Sequence, residues 1–263
     1  MSWFKKKKPV IEFFSLIPEV AEMQPIVSAK NFRPDLLVNA SKDYAEKKKS
    51  PFFGMEKLIS TAKCSGIFNY ARQGWIMCTY QDITIKTNGD GDSFIWTSAI
   101  DQNKLTNGSM VGDAVSSHSK EQYADFIGGS IPNSINTIIK INTPWRCKVP
   151  DGYYLQEAPL PYTTEKRFTT VTGFFSNEHG ISQMNVQLLW NVMDGEVLIK
   201  AGTPIAHYML IPKEQPEMKC MAATPEQIYL NNVTNIEMNR RYVTDMKAKK
   251  CIFANLFDSN KKT

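Results

Sequence analysis

The sequence predicts a mainly β protein, with a β-barrel or two-sheet sandwich core. Peripheral helices surround it, one of them C-terminal. Three observations lead there. Ile83–Lys86 alternates isoleucine with polar residues and runs into Asn88-Gly89, the strongest short-range hairpin signal in the chain. Lys148–Pro212 is a succession of short β-type runs separated by glycine and proline turns. The 263 residues, 42% hydrophobic and 22% charged, can bury a sizeable core and have an ordinary globular composition.

Taken in order, Val10–Ile17 reads as a first strand stopped by Pro18. Val20–Pro34 is interrupted by Pro25 and Pro34 and reads as extended or looping. Asp35 follows Pro34 as a plausible N-cap, so Asp35–Lys49 reads as a helix. Gly74–Tyr80, Asp82–Lys86 and Ser93–Thr97 are strand-like, the last two forming the hairpin around Asn88-Gly89. Lys104–Ile131 is rich in glycine and hydroxyl residues and reads as a long loop. Ile135–Ile141 and Gln187–Trp190 are strands. Thr224-Pro225-Glu226 is a helix start, and an uninterrupted apolar face continues to Lys250. The expected organisation is a basic tail (1–9), a β core (10–223) with an irregular insertion at about 104–131, and a helix with a basic tail (224–263). Trp75, Ile83, Ile85, Ile139, Val186, Leu188 and Ile205 are the expected core.

The net charge of +5 comes from 31 basic and 26 acidic side chains, with much of the excess near the ends. Lys5, Lys6, Lys7 and Lys8, with Lys247, Lys249 and Lys250, are the candidates for nucleic-acid or anion contact, because clustered cations attract phosphates. Five scattered cysteines without a Cys-x-x-Cys pair indicate neither a zinc knuckle nor a disulfide framework. No run of some 18 apolar residues exists, so no membrane span is expected. Glu12, Pro18 and Glu19 spoil the apolar stretch that a secretory signal would need.

The candidate chemistry is sparse. His179 and His207 with Glu178 are the residues that an iron site of two histidines and one carboxylate would use. Glu178 and His179 are adjacent, however, and would face opposite sides of a strand. Asp90 and Asp92 alternate in a glycine-rich turn but lack the further ligands of a calcium loop. Ser116-Ser117-His118-Ser119 is not a nucleophile elbow, and no glycine-rich phosphate cradle is present. No residue is assigned a catalytic role.

Val149–Leu210 resembles the trimeric dUTP pyrophosphatases, and the resemblance implies a core of their β-clip or jelly-roll-like type. Pro150-Asp151-Gly152-Tyr153-Tyr154 is similar to the segment that leads into that family's Arg-Ser-Gly motif. Gly202-Thr203-Pro204-Ile205-Ala206-His207 stands where the family has Gly-Asp-Arg-Ile-Ala-Gln. Ala158-Pro159-Leu160-Pro161-Tyr162 replaces the Arg-Ser-Gly motif, and Gly173-Phe174-Phe175-Ser176-Asn177-Glu178 has no counterpart of the water-activating Asp. The resemblance implies the fold without a phosphate clamp or an activated water. The same block also resembles uncharacterised proteins of tailed bacteriophages, which implies a place in the infected host cytoplasm or the virion.

The expected function is therefore non-enzymatic binding of another protein or of further copies of the chain, as a homo-oligomer and without a cofactor. One alternative is a metal-dependent oxygenase using Fe at His179, His207 and Glu178, or a divergent nucleotide hydrolase. Another is nucleic-acid binding through the lysine-rich ends.

Overall fold

The computed structural model describes residues 8–49, 64–105, 112–118, 120–123 and 131–234. From the N-terminus come β1 (Glu12–Ser15), α1 (Pro18–Met23), β2 (Val27–Ser28), α2 (Asp35–Lys49) and α3 (Ser65–Ala71). Next are β3 (Trp75–Cys78), β4 (Ile83–Asn88), β5 (Phe94–Ser98), α4 (Gln102–Leu105), β6 (Val115–His118) and β7 (Ile138–Lys148). The remaining strands are β8 (Tyr153–Ala158), β9 (Phe168–Thr170), β10 (Gly173–Phe175), β11 (Ser182–Trp190), β12 (Asp194–Ile199) and β13 (Pro204–Pro212). Residues 225–234 form α5.

The strands make three antiparallel sheets, and among the described residues none closes into a barrel. The first has the order β1-β7-β11-β9, with β6 also paired to β7. The second runs β10-β8-β13-β3-β2 and the third β12-β4-β5. The described residues up to 47, with 64–215, belong to one compact unit, and 48–49 and 216–234 belong to another.

Alternation explains the core. Along β11, every second residue from Met184 to Trp190 is buried, and β4 buries Ile83, Ile85 and Thr87 in the same rhythm. The apolar ones among these side chains meet Ile139 and Ile141 of β7, Leu155 of β8 and Ile205 of β13 in one continuous cluster. Each such aliphatic side chain, withdrawn from water, contributes about 1.5–3 kcal/mol. Phe168 and Trp190 stack within it at 6.3 Å and 9°. Six of the seven expected core residues are fully buried, while Trp75 is half-buried and packs edge-on to Phe13 at 5.5 Å.

Three local differences from the sequence reading have clear causes. Residues 20–23, expected to be extended or looping, belong to α1, which forms because Pro18 stands at the first helical turn, where no amide is lost, and Val20 is buried. The strand expected to end at Ile141 continues through Pro144 to Lys148. Proline is tolerated there because the β7–β11 register shifts between Gln183 and Asn185, leaving a bulge. The Thr143 hydroxyl donates to the Met184 carbonyl across that bulge at 2.5 Å. The 104–131 stretch, expected to be irregular, contains β6, which pairs with β7 from Val115↔Ile141 to His118↔Ile138.

Candidate functional site

The third sheet leaves one side of β5 open. The Ala99 amide donates to the Asp82 carbonyl at 3.1 Å, which fixes the phase of the β4–β5 ladder. In that phase Ile95 and Thr97 direct their main-chain groups toward β4. Phe94, Trp96 and Ser98 direct theirs away, along an edge without a second strand among the described residues. The Phe94 and Trp96 side chains pack against the core, and Ile95 on the other face is 68% exposed.

A cleft of about 390 Å³ borders this edge, with Asp113 and Ala114 among the residues that line it. A chain of side-chain hydrogen bonds holds its base. Gln81 Oε1 accepts from the Ile100 amide at 2.8 Å, and Gln81 Nε2 donates to Tyr80 Oη at 2.8 Å. Tyr80 Oη donates in turn to Gln102 Oε1 at 2.5 Å, and buried Gln102 donates through Nε2 to the Gly112 carbonyl at 2.8 Å. Asn103 Nδ2 donates to Asp113 Oδ1 at 3.1 Å, tying the two walls together. Asp101 meets Lys104 at 3.3 Å in an exposed pair, which holds the two weakly.

A second polar cluster lies inside the core. Glu157, on β8, is buried and sits opposite Tyr208 of β13, whose hydroxyl donates to Oε2 at 2.5 Å. Burial pushes the Glu157 carboxyl up to about 7, although Tyr208 and the Gln187 amide both favour its ionised form. The thiol of Cys147 is pushed up to about 12, first by burial and then by Glu157. Burial, with Glu157 beside it, also raises Tyr208 well above the usual phenol range.

The structure places the residues singled out by sequence in separate settings. Glu178 and His179 are exposed in the turn before β11. His207 is fully buried in β13, and its Nε2 lies 2.6 Å from the Gln73 carbonyl. A carbonyl only accepts, so Nε2 carries the proton, and Nδ1 is buried without a hydrogen-bond partner among the described residues. Burial lowers the His207 pKa. Asp90 accepts from the Asp92 and Ser93 amides and from the Ser93 hydroxyl, bonds that hold its carboxyl well below the usual carboxylate range. Asp92 accepts from Asn136 Nδ2 at 2.9 Å, so Asp90 holds the turn and Asp92 ties it to the segment before β7. Among the described residues no group of three or more His, Cys, Asp and Glu side chains is arranged to hold a metal ion. Lys8 is exposed, and Lys5, Lys6, Lys7, Lys247, Lys249 and Lys250 lie outside the described residues. Among the described residues, no helix is long and apolar enough to cross a membrane.

Outside the β unit, α5 opens on a reciprocal cap. The Gln227 amide donates to Thr224 Oγ1 at 3.2 Å, and the Thr224 amide donates to Gln227 Oε1 at 2.8 Å. Met218, Met221, Ile228, Tyr229 and Leu230 are all more than half exposed.

No protein-family model and no curated protein sequence matches this chain. A mutant dUTPase from phage phi11 of S. aureus, whose structure is described as revealing the coordination of a structural Mg(II) ion, is a weak structural neighbour. It has a TM-score of 0.24 and 14% identity, over 34% of this chain and 72% of that one.

Proposed function

We propose that this is a phage-type, non-enzymatic β protein that acts by binding another protein or further copies of itself. On this reading it works in the infected host cell or the virion, and its self-associated form is a homo-oligomer. The observation that carries the reading is the exposed apolar group between Met218 and Leu230. Five large apolar side chains in so short a stretch, none more than half covered, are what a protein contact uses and what a solvated surface avoids. The cap at Thr224 makes the presenting helix a defined element, so part of the ordering cost is met before a partner arrives.

The test compares the full chain with the variant Ile228→Asp, Tyr229→Ser, Leu230→Asp. Native mass across a dilution series reads self-association, and capture from infected-cell lysate reads other partners. The expected result is an oligomer or a captured protein that the variant loses while its far-ultraviolet spectrum stays the same. A wild-type chain that is monomeric throughout and retains nothing, or a variant that keeps every interaction, overturns the reading.

A further inference from the structure

We propose that the cleft beside β5 is a separate peptide-binding site, which takes an extended basic segment of a partner protein as an added strand. The site is in the β unit, and its argument is independent of the exposed residues 218–230.

The edge supplies the main-chain half of the recognition. Phe94, Trp96 and Ser98 turn their amides and carbonyls away from β4 in the established register, and among the described residues no strand pairs with them. An incoming strand would lie about 4.8 Å away and satisfy these groups as a sheet neighbour does. Open edges of this kind invite pairing, and proteins usually cover them, bulge them or charge them. This edge instead faces a cleft of about 390 Å³ whose base is fixed by the Gln81–Tyr80–Gln102 hydrogen bonds.

The side chains select the occupant. Among the described residues the cleft lining includes two carboxylates, Asp101 and Asp113, and no cation, although Lys104 outside the lining pairs weakly with Asp101. A lysine or arginine of the incoming strand meets complementary charge there, whereas an acidic strand is repelled. Trp96 adds a half-buried indole to the same wall, suited to an apolar side chain or to the stem of a basic one. Side chains of a strand alternate faces, so the favoured sequence alternates basic and apolar residues.

Calorimetric titration of the full chain tests this with four synthetic peptides. The first is an alternating lysine–valine heptapeptide, and the second has glutamate in place of lysine. The other two are lysine peptides N-methylated on one or the other set of alternate residues, each removing the donors of one strand edge. The lysine peptide is expected to bind with saturable heat. The glutamate peptide and one methylated peptide should be weaker by at least about tenfold, and the other methylated peptide unaffected. Asp101→Asn with Asp113→Asn, both at exposed positions, should weaken the lysine peptide by a similar factor without lowering thermal stability. Absence of saturable binding below about 1 mM, equal binding of the two charge types, or indifference to both methylation patterns overturns the proposal. The peptide arms use the unaltered chain, so they decide the question even if the double variant misfolds.

Discussion

Glu157→Gln should stabilise the protein at neutral and alkaline pH while leaving it nearly unchanged in mild acid. In the unfolded chain this carboxyl loses its proton near its ordinary 4.5, whereas in the core it holds the proton up to about 7. Between those values folding takes up a proton, so stability falls as pH rises through the window and stays low above it. The displacement from 4.5 to about 7 corresponds to a deficit of about 3 kcal/mol once both states are ionised. Glutamine keeps the shape and an oxygen to accept the Tyr208 hydroxyl, but removes the ionisation. Urea unfolding followed by circular dichroism, run from pH 4.5 to 8.5, reads the effect. The variant should match the natural protein at the acid end and exceed it by about 3 kcal/mol at the alkaline end, roughly a 1 M rise in midpoint. Parallel stability curves for the two proteins across that range would refute the argument, because the buried carboxylate would then not be the source of the slope.

Two further outcomes follow from the same core. Gly74→Ala should cost at least about 3 kcal/mol and lower the melting temperature sharply, since φ is 77° there and an added Cβ would sit 1.9 Å from the Tyr208 carbonyl oxygen; a shift of only a degree or two counts against that fit. In a timed thiol-labelling experiment on the native protein at pH 8, followed by peptide mass mapping, Cys64 and Cys220 should react first. Buried Cys147, raised to about 12, should react only after denaturation; early labelling of Cys147 would show that the core opens there.

Local signals carried much of the fold. Asp35 after Pro34 marked the start of α2, and Asn88-Gly89 marked the β4–β5 hairpin. The isoleucines of β4 and the Val186–Leu188 pair on β11 were recognisable as core because their burial follows the period of two. Sheet membership was not legible. The pairing of β1 with β7 joins Glu12 to Lys148, and no local pattern encodes a partner so distant. Asp194–Ile199 escaped notice as a strand because most of its side chains are exposed, which removes the apolar alternation. The cleft was invisible for a related reason. The sequence marked Ser93–Thr97 as a strand, but an open edge belongs to the topology, and Asp113 reaches the cleft from outside the hairpin. Glu157 gave no sign of its burial, since alternation in β8 is masked by the half-buried Tyr153 and Tyr154.

The order β10-β8-β13-β3-β2 has a bearing on how the chain is made. The middle position of that sheet belongs to the last of the described strands to be synthesised, and until Ile205–Ile211 has emerged β3 and β8 lack the strand that joins them. At about 5–20 residues per second, a typical translation rate, the stretch from β3 to the end of β13 occupies the ribosome for roughly 7 to 28 seconds. From the completion of β8 until β13 follows, two unfinished half-sheets expose edges that could pair with a neighbouring nascent chain. Chain termination between Ala158 and Pro204 would leave both halves in that state permanently, so such truncated products should aggregate or be degraded rather than accumulate as smaller folded proteins.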